Sequence, residues 1–126
     1  MKPIRTIAAA LLLLTFVAGC GDSYDKVAAN LLANVQTVRD TLKSVKDPAS
    51  ANLAAEKIKS LGVEMQQIRA RMNKLGKPSK DVGDQLNGKY QAQIRQVEDQ
   101  IHAEHARIEA LGPAVLTPVD AAMHGG

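Results

Sequence analysis

The chain has 126 residues, of which 45% are hydrophobic, 23% charged and only 2% aromatic, with a formal net charge of +3. One cysteine, no tryptophan and three aromatic rings (Phe16, Tyr24, Tyr90) exclude a disulfide framework and leave little material for a β-sandwich core or an aromatic ligand cage. The length suits one small α-helical domain.

The first nineteen residues read as an address rather than as fold. Lys2 and Arg5 form a positive start, and Ile7 to Val17 is an apolar run interrupted only by Thr15. That run falls short of the ~20 apolar residues a bilayer-spanning helix needs, and fits the apolar stretch of a signal peptide. It ends in Val17-Ala18-Gly19-Cys20, followed by Gly21-Asp22-Ser23.

This segment resembles the lipobox of bacterial lipoproteins: an aliphatic residue, two small residues, then the cysteine. Val17 stands where the family pattern prefers leucine. The resemblance implies cleavage between Gly19 and Cys20, a diacylglycerol thioether on Cys20 and a membrane-held mature chain facing the periplasm. A further acyl group on the new amine is usual in that family. Gly21, rather than an acid, follows the cysteine; by the family's sorting rule this favours the outer over the inner membrane in a diderm cell. No thiol then remains for a disulfide or redox centre, and the covalent lipid is the only attached group expected.

From Tyr24 onward apolar residues recur at alternating steps of four and three. Tyr24, Ala28, Leu31, Val35, Val38, Leu42 and Val45 form the first series; Ala51, Ala54, Ile58, Leu61, Met65, Ile68, Met72 and Leu75 form the second. The third is looser: Val82, Leu86, Tyr90, Ile94, Val97, Ile101, Glu104, Ile108, Leu111. A 3.5-residue repeat lays a narrow apolar seam along each helix. The expectation is therefore an all-α, antiparallel, coiled-coil-like three-helix bundle over 23–112, with helices at about 23–45, 48–75 and 80–111. Residues 20–22 form its lipidated lead and 113–126 a C-terminal tail with at most a short helical turn after Thr117-Pro118.

Local signals agree with those limits. Asp22 or Ser23 can cap the first helix, Asp47-Pro48 combines a cap with proline at the first helical position, and Ser79 can cap the third. Gly76 stands where a left-handed C-cap is expected, and Gly112-Pro113 ends the third helix. Gly83 and Gly88 weaken the start of that helix.

Removing Lys2 and Arg5 with the leader leaves fourteen basic against thirteen acidic residues, a net of +1, which gives no basis for nucleic-acid binding. Distribution is more telling. Arg69, Arg71, Lys74, Lys77 and Lys80 fall in one stretch that contains no acid. Because an antiparallel second helix returns toward the anchored end, this turn is expected at the lipid head groups, where each cation contributes ~1 kcal/mol near an anionic surface. Cations near a helix C-terminus also complement its dipole without any membrane.

One cluster has ligand chemistry. Glu98, His102 and His105 follow one another at steps of four and three, and Glu109 lies four beyond His105; such a set could hold zinc or copper. It matches neither HExxH nor HxxEH, and read as structure these are seam-edge histidines paired with Glu98 and Glu109. Met65 and Met72 read as core filler. Neither a nucleophile with its base nor a phosphate loop is present, and a narrow seam leaves no roomy pocket, so no enzyme is expected. Peptidoglycan-linked lipoproteins rely on a C-terminal lysine, whereas this chain ends His124-Gly125-Gly126. Periplasmic metal-stress chaperones carry Leu-Thr-x-x-Gln, and the glutamine is missing after Leu116-Thr117. The sequence thus points to a non-catalytic envelope scaffold that meets an unidentified protein partner or further copies of itself. A periplasmic helical protein that binds or senses a divalent metal is the alternative.

Overall fold

A computed structural model describes residues 23–125; the expected leader, the expected Gly19–Cys20 cleavage position and the expected acylation at Cys20 lie outside them. The described residues contain no strand. They form helices α1 (Tyr24–Lys43), α2 (Pro48–Leu75), α3 (Lys80–Leu86), a π-helical turn (Asn87–Gln91), α4 (Ala92–Ala110) and α5 (Pro113–His124). α3, the π turn and α4 run on without a break as one rod. No helix among the described residues is long and apolar enough to cross a membrane.

The helix ends follow from side-chain chemistry. Ser23 Oγ accepts from the Lys26 amide at 3.1 Å, satisfying one of the unpaired donors that open α1. At α2, Asp47 Oδ1 accepts from Ser50 N at 2.8 Å while Ser50 Oγ accepts from Asp47 N at 3.1 Å, with Pro48 at the first position. This reciprocal pair draws the Asp47 carboxyl below its ordinary value, chiefly through the Ser50 amide. Ser79 Oγ accepts from Val82 N and starts α3. Gly76 closes α2 at φ 74° as expected, but its ψ of −167° is extended rather than left-handed helical, a region essentially restricted to glycine.

α1 is the central element. It packs against α2 on one side and against the 80–110 rod on the other, whereas α2 and α4 make no helix–helix contact. A helix with two neighbours must bury more than one narrow seam. Hence Val27, Leu32, Asn34 and Thr41 are buried beside Ala28 and Leu42, although none of the four belongs to the heptad series, while Leu31, Val35 and Val38 are only half-buried.

The stretch expected to be a tail is the main departure. Pro113–His124 is a twelve-residue helix seated chiefly on α2 and also touching α4. Proline is favoured at a first helical position, so Pro113 ends one helix and begins the next, across Gly112 at φ 105°. Pro118 inside α5 lacks an N–H to give the preceding turn; the helix holds because Val115, Val119 and Ala122, at steps of four and three, bury one face. Val119 is fully inaccessible.

Two apolar clusters result. The first joins Leu42, Val45, Ala51, Ala54, Ile58 and Ile108 to the α5 residues, at the end holding the α1–α2 turn. The second, at the end holding Ser23 and the α2–α3 turn, unites Ala28, Leu32, Tyr90 and Val97. α5 thus closes the bundle over one half of its length only.

Candidate functional site

The uncovered half is where the side chains build something other than core. In the third series Val82, Leu86, Tyr90 and Ile94 follow at three successive steps of four, which overshoots 3.6 residues per turn. The π turn at Asn87–Gln91, bonded i to i+5, absorbs the surplus. It returns Tyr90, Ile94 and Val97 to the face that meets α1. π turns occur frequently at functional sites.

Tyr90 is buried, and its hydroxyl donates to Asp25 Oδ1 at 3.0 Å. Lys89 Nζ donates to the same oxygen at 2.9 Å and stands 5.2 Å from the Tyr90 ring centre. Asp25 lies in the first turn of α1, so one carboxylate ties the start of α1 to the π turn. The Lys89 hydrogen bond, then that from Tyr90, holds the Asp25 carboxyl below its ordinary value of 3.8. Reciprocally, the Asp25 carboxylate raises Lys89 above 10.5. Both side chains are exposed, so solvent screens the pair and its strength lies in geometry more than in charge.

Beside this trio runs an open groove of about 530 Å³ between α2 and the 80–110 rod, with α1 as its floor. Tyr24, Ala28, Met72, Leu86, Tyr90 and Ile94 supply apolar walls, Pro78 and Gly83 lie at its lining near the α2–α3 turn, and Asn87, Gln91, Arg95 and Glu98 add a polar edge along the rod. The expectation of seams too narrow for a pocket is therefore corrected. α2 and α4 stand apart because α1 and, farther along, α5 hold them so. Met72 is a half-buried groove wall rather than core filler, and Met65 is half-buried outside the groove.

The basic turn is assembled at this same end. The Tyr24 hydroxyl donates to Leu75 O at 2.6 Å, joining the start of α1 to the end of α2. Arg69, Lys74, Lys77 and Lys80 are exposed. Arg71 is turned inward: with its amide oxygen facing α2, Asn30 accepts from Arg71 Nη1 at 2.9 Å and Nη2 at 3.2 Å.

The histidine–carboxylate set expected on the third helix does not converge. Among the described residues no three His, Cys, Asp or Glu side chains stand together in a way that could hold a metal ion. His102, Glu98 and Glu109 are exposed along α4. His105 Nε2 instead lies 2.8 Å from Asp120 Oδ1 on α5, which also has His124 Nδ1 at 3.7 Å. The partner was hidden because Asp120 sits in the stretch read as a tail. Arg107 was also unmarked in the sequence. Its guanidinium donates to Val45 O at 2.8 Å and Leu42 O at 3.0 Å, satisfying carbonyls at the end of α1.

Comparison with protein-family models, curated proteins and solved structures gives no match.

Proposed function

We propose that this chain is a bacterial lipoprotein, anchored through acylated Cys20, whose helical domain stands at the membrane surface as a non-catalytic scaffold for a protein partner. The observation behind this reading is the sole cysteine at the end of Val17-Ala18-Gly19-Cys20, after a short apolar run with two basic residues before it. Small residues before the cysteine give a peptidase access to the backbone, and the thiol supplies the nucleophile for acylation. More than one acyl chain separates stable anchoring from marginal binding.

Two further features support the orientation. Only Gly21 and Asp22 separate Cys20 from Ser23, the α1 cap. Through Tyr24 the α2–α3 turn lies beside that cap, which supports a reading in which Arg69, Lys74, Lys77 and Lys80 meet anionic head groups. Gly21 after the cysteine fits outer-membrane sorting in a diderm cell. Leu53 and Val63 on α2, 75% and 57% exposed, are apolar side chains that a protein partner would cover.

Metabolic labelling with a clickable fatty acid, alongside intact mass, tests the anchor. The expected product begins at Cys20 and carries diacylglycerol, and Cys20→Ala abolishes labelling. A chain that keeps its first nineteen residues, or a free thiol at position 20, refutes the reading.

A further inference from the structure

We propose that the groove between α2 and the 80–110 rod takes one acyl chain of an anionic phospholipid, whose phosphate is held at the groove mouth by Lys77 and Lys80. The inference rests on the proposed orientation, in which the Cys20 end lies at the bilayer.

Shape and chemistry favour this occupant. The groove has apolar walls from Tyr24, Met72, Leu86, Tyr90 and Ile94 and a volume of about 530 Å³. It stays accessible because α5, which fills the space between α2 and α4 at the other end, does not reach it. Its lining extends along the rod from Gly83 to Glu98, about 22 Å at ~1.5 Å per residue. Half of a ~30 Å hydrocarbon core, the depth of one leaflet, is about 15 Å, so an acyl chain fits within that length.

Charge and position commit the site to a phospholipid. Pro78 lines the mouth, and Lys77 precedes it while Lys80 opens α3, both exposed. With Lys74 they form a cationic collar suited to a phosphate beside the groove; the first acid, Asp81, follows Lys80, and Arg95 and Glu98 line the groove at its far end. The three-residue distance from Cys20 to Ser23 keeps this mouth near the leaflet, so a lipid can enter with its head group still at the interface. A bound chain meets the π turn at Tyr90, which the Asp25 hydrogen bond holds in place.

The test uses lysophosphatidylglycerol with a diazirine at the tip of its single chain, added below its micelle concentration to full-length protein and mapped by peptide mass spectrometry. Labelling is expected to concentrate on Met72, Tyr90 and Ile94. A tenfold excess of lysophosphatidylglycerol should compete better than the same excess of lysophosphatidylcholine. Gly83→Leu is the blocking variant: a Cβ at Gly83 meets nothing within 4 Å, and leucine favours helix over glycine, so the fold is kept while the side chain enters the groove. It should lower labelling at least fivefold with no loss of melting temperature. Labelling spread equally over exposed Leu53 and Val63, or unchanged by Gly83→Leu, overturns the proposal. So does equal competition by the two lipids. Cys20→Ala separates this site from the anchor. Labelling retained in that variant supports the groove whether or not Cys20 is acylated in the parent, whereas labelling confined to it shows the chain's own acyl group filling the groove and overturns the phospholipid assignment.

Discussion

The Tyr24 hydroxyl reaches 51 residues along the chain to donate to the Leu75 carbonyl at 2.6 Å, with the Gly76 carbonyl 3.1 Å away. Carbonyls at a helix C-terminus have no partner within their own helix. Tyr24 therefore caps α2 from a different helix and fixes which turn lies beside the α1 N-terminus. Tyr24→Phe keeps the ring in the groove wall and removes only the donor. It should cost about 1 kcal/mol, read as a lower urea midpoint at unchanged slope; an unaltered midpoint would show that water serves these carbonyls equally well.

Arg107 performs the corresponding task at the other end of α1. Its two terminal nitrogens reach Leu42 O and Val45 O while Nε holds Glu104 Oε2 at 2.7 Å. A planar fork can meet divergent acceptors together, which a lysine ammonium on its flexible stem does poorly. Arg107→Ala should destabilise by about 2 kcal/mol, and Arg107→Lys should recover less than half of that loss. Hydrogen exchange should show the last turn of α1 opening first. Full recovery by lysine would reduce the interaction to simple charge.

The Asp25–Lys89 pair sets a pH window. Asp25 titrates below 3.8 in the folded chain, so its contribution is complete above that pH and disappears as pH falls through the lowered value. Lys89 is raised above 10.5, so its contribution persists below that pH and disappears as pH rises through the folded value. The melting-temperature gap between wild type and Asp25→Asn should be constant from pH ~5 to ~9 and shrink as pH falls below 3.8 and through the lowered Asp25 value. A gap that widened in acid would assign the effect to something other than the carboxylate.

Much of this arrangement was legible in the sequence wherever local chemistry and period agree. Asp47-Pro48 and Ser79 cap the helices they were expected to cap, and Ala51, Ala54, Ile58, Leu61 and Ile68 are buried as the second heptad series requires. What escaped depends on partners distant in the chain. Asn34 is a polar residue off the heptad series, yet it is 97% inaccessible because its amide donates to Leu61 O across the α1–α2 interface at 3.0 Å. α5 escaped because Pro118 argues against a helix and only burial on α2 outweighs it. The groove escaped with it, since a helix that stops halfway leaves a space no single segment encodes. The looseness of the third series has its cause in the π turn, because the three consecutive steps of four from Val82 to Ile94 need one residue more than an α-helix supplies. Leu111, expected on a seam, is 44% exposed because the rod ends as the chain turns into α5.

Surface glycines offer a test in the stabilising direction. Gly62 is exposed on α2, and a Cβ there would meet nothing within 4 Å. No positive φ requires glycine at this position. Gly62→Ala should therefore stabilise by about 1 kcal/mol, the helix-propensity difference, and raise the melting temperature. A fall would reveal a contact on this face that glycine permits.

The strongest dependence should be on α5, because one half of the core relies on a helix only twelve residues long. Val119 is fully buried in the cluster that contains Ala51, Ala54, Ile58 and Ile108. Val119→Ala removes two methyl groups, worth ~0.8 kcal/mol each in transfer, and leaves a void; a loss of about 2 kcal/mol is expected. Since α2 and α4 meet through α1 and α5 rather than each other, the loosened region should include the first half of α2 and the last turns of α4. Amides of Ala54, Ala55 and Ile108 should lose protection, while those around Val97 in the other cluster keep theirs. Equal loss in both clusters would mean that the two halves unfold as one unit, and that the groove end depends on α5 as much as the end it covers.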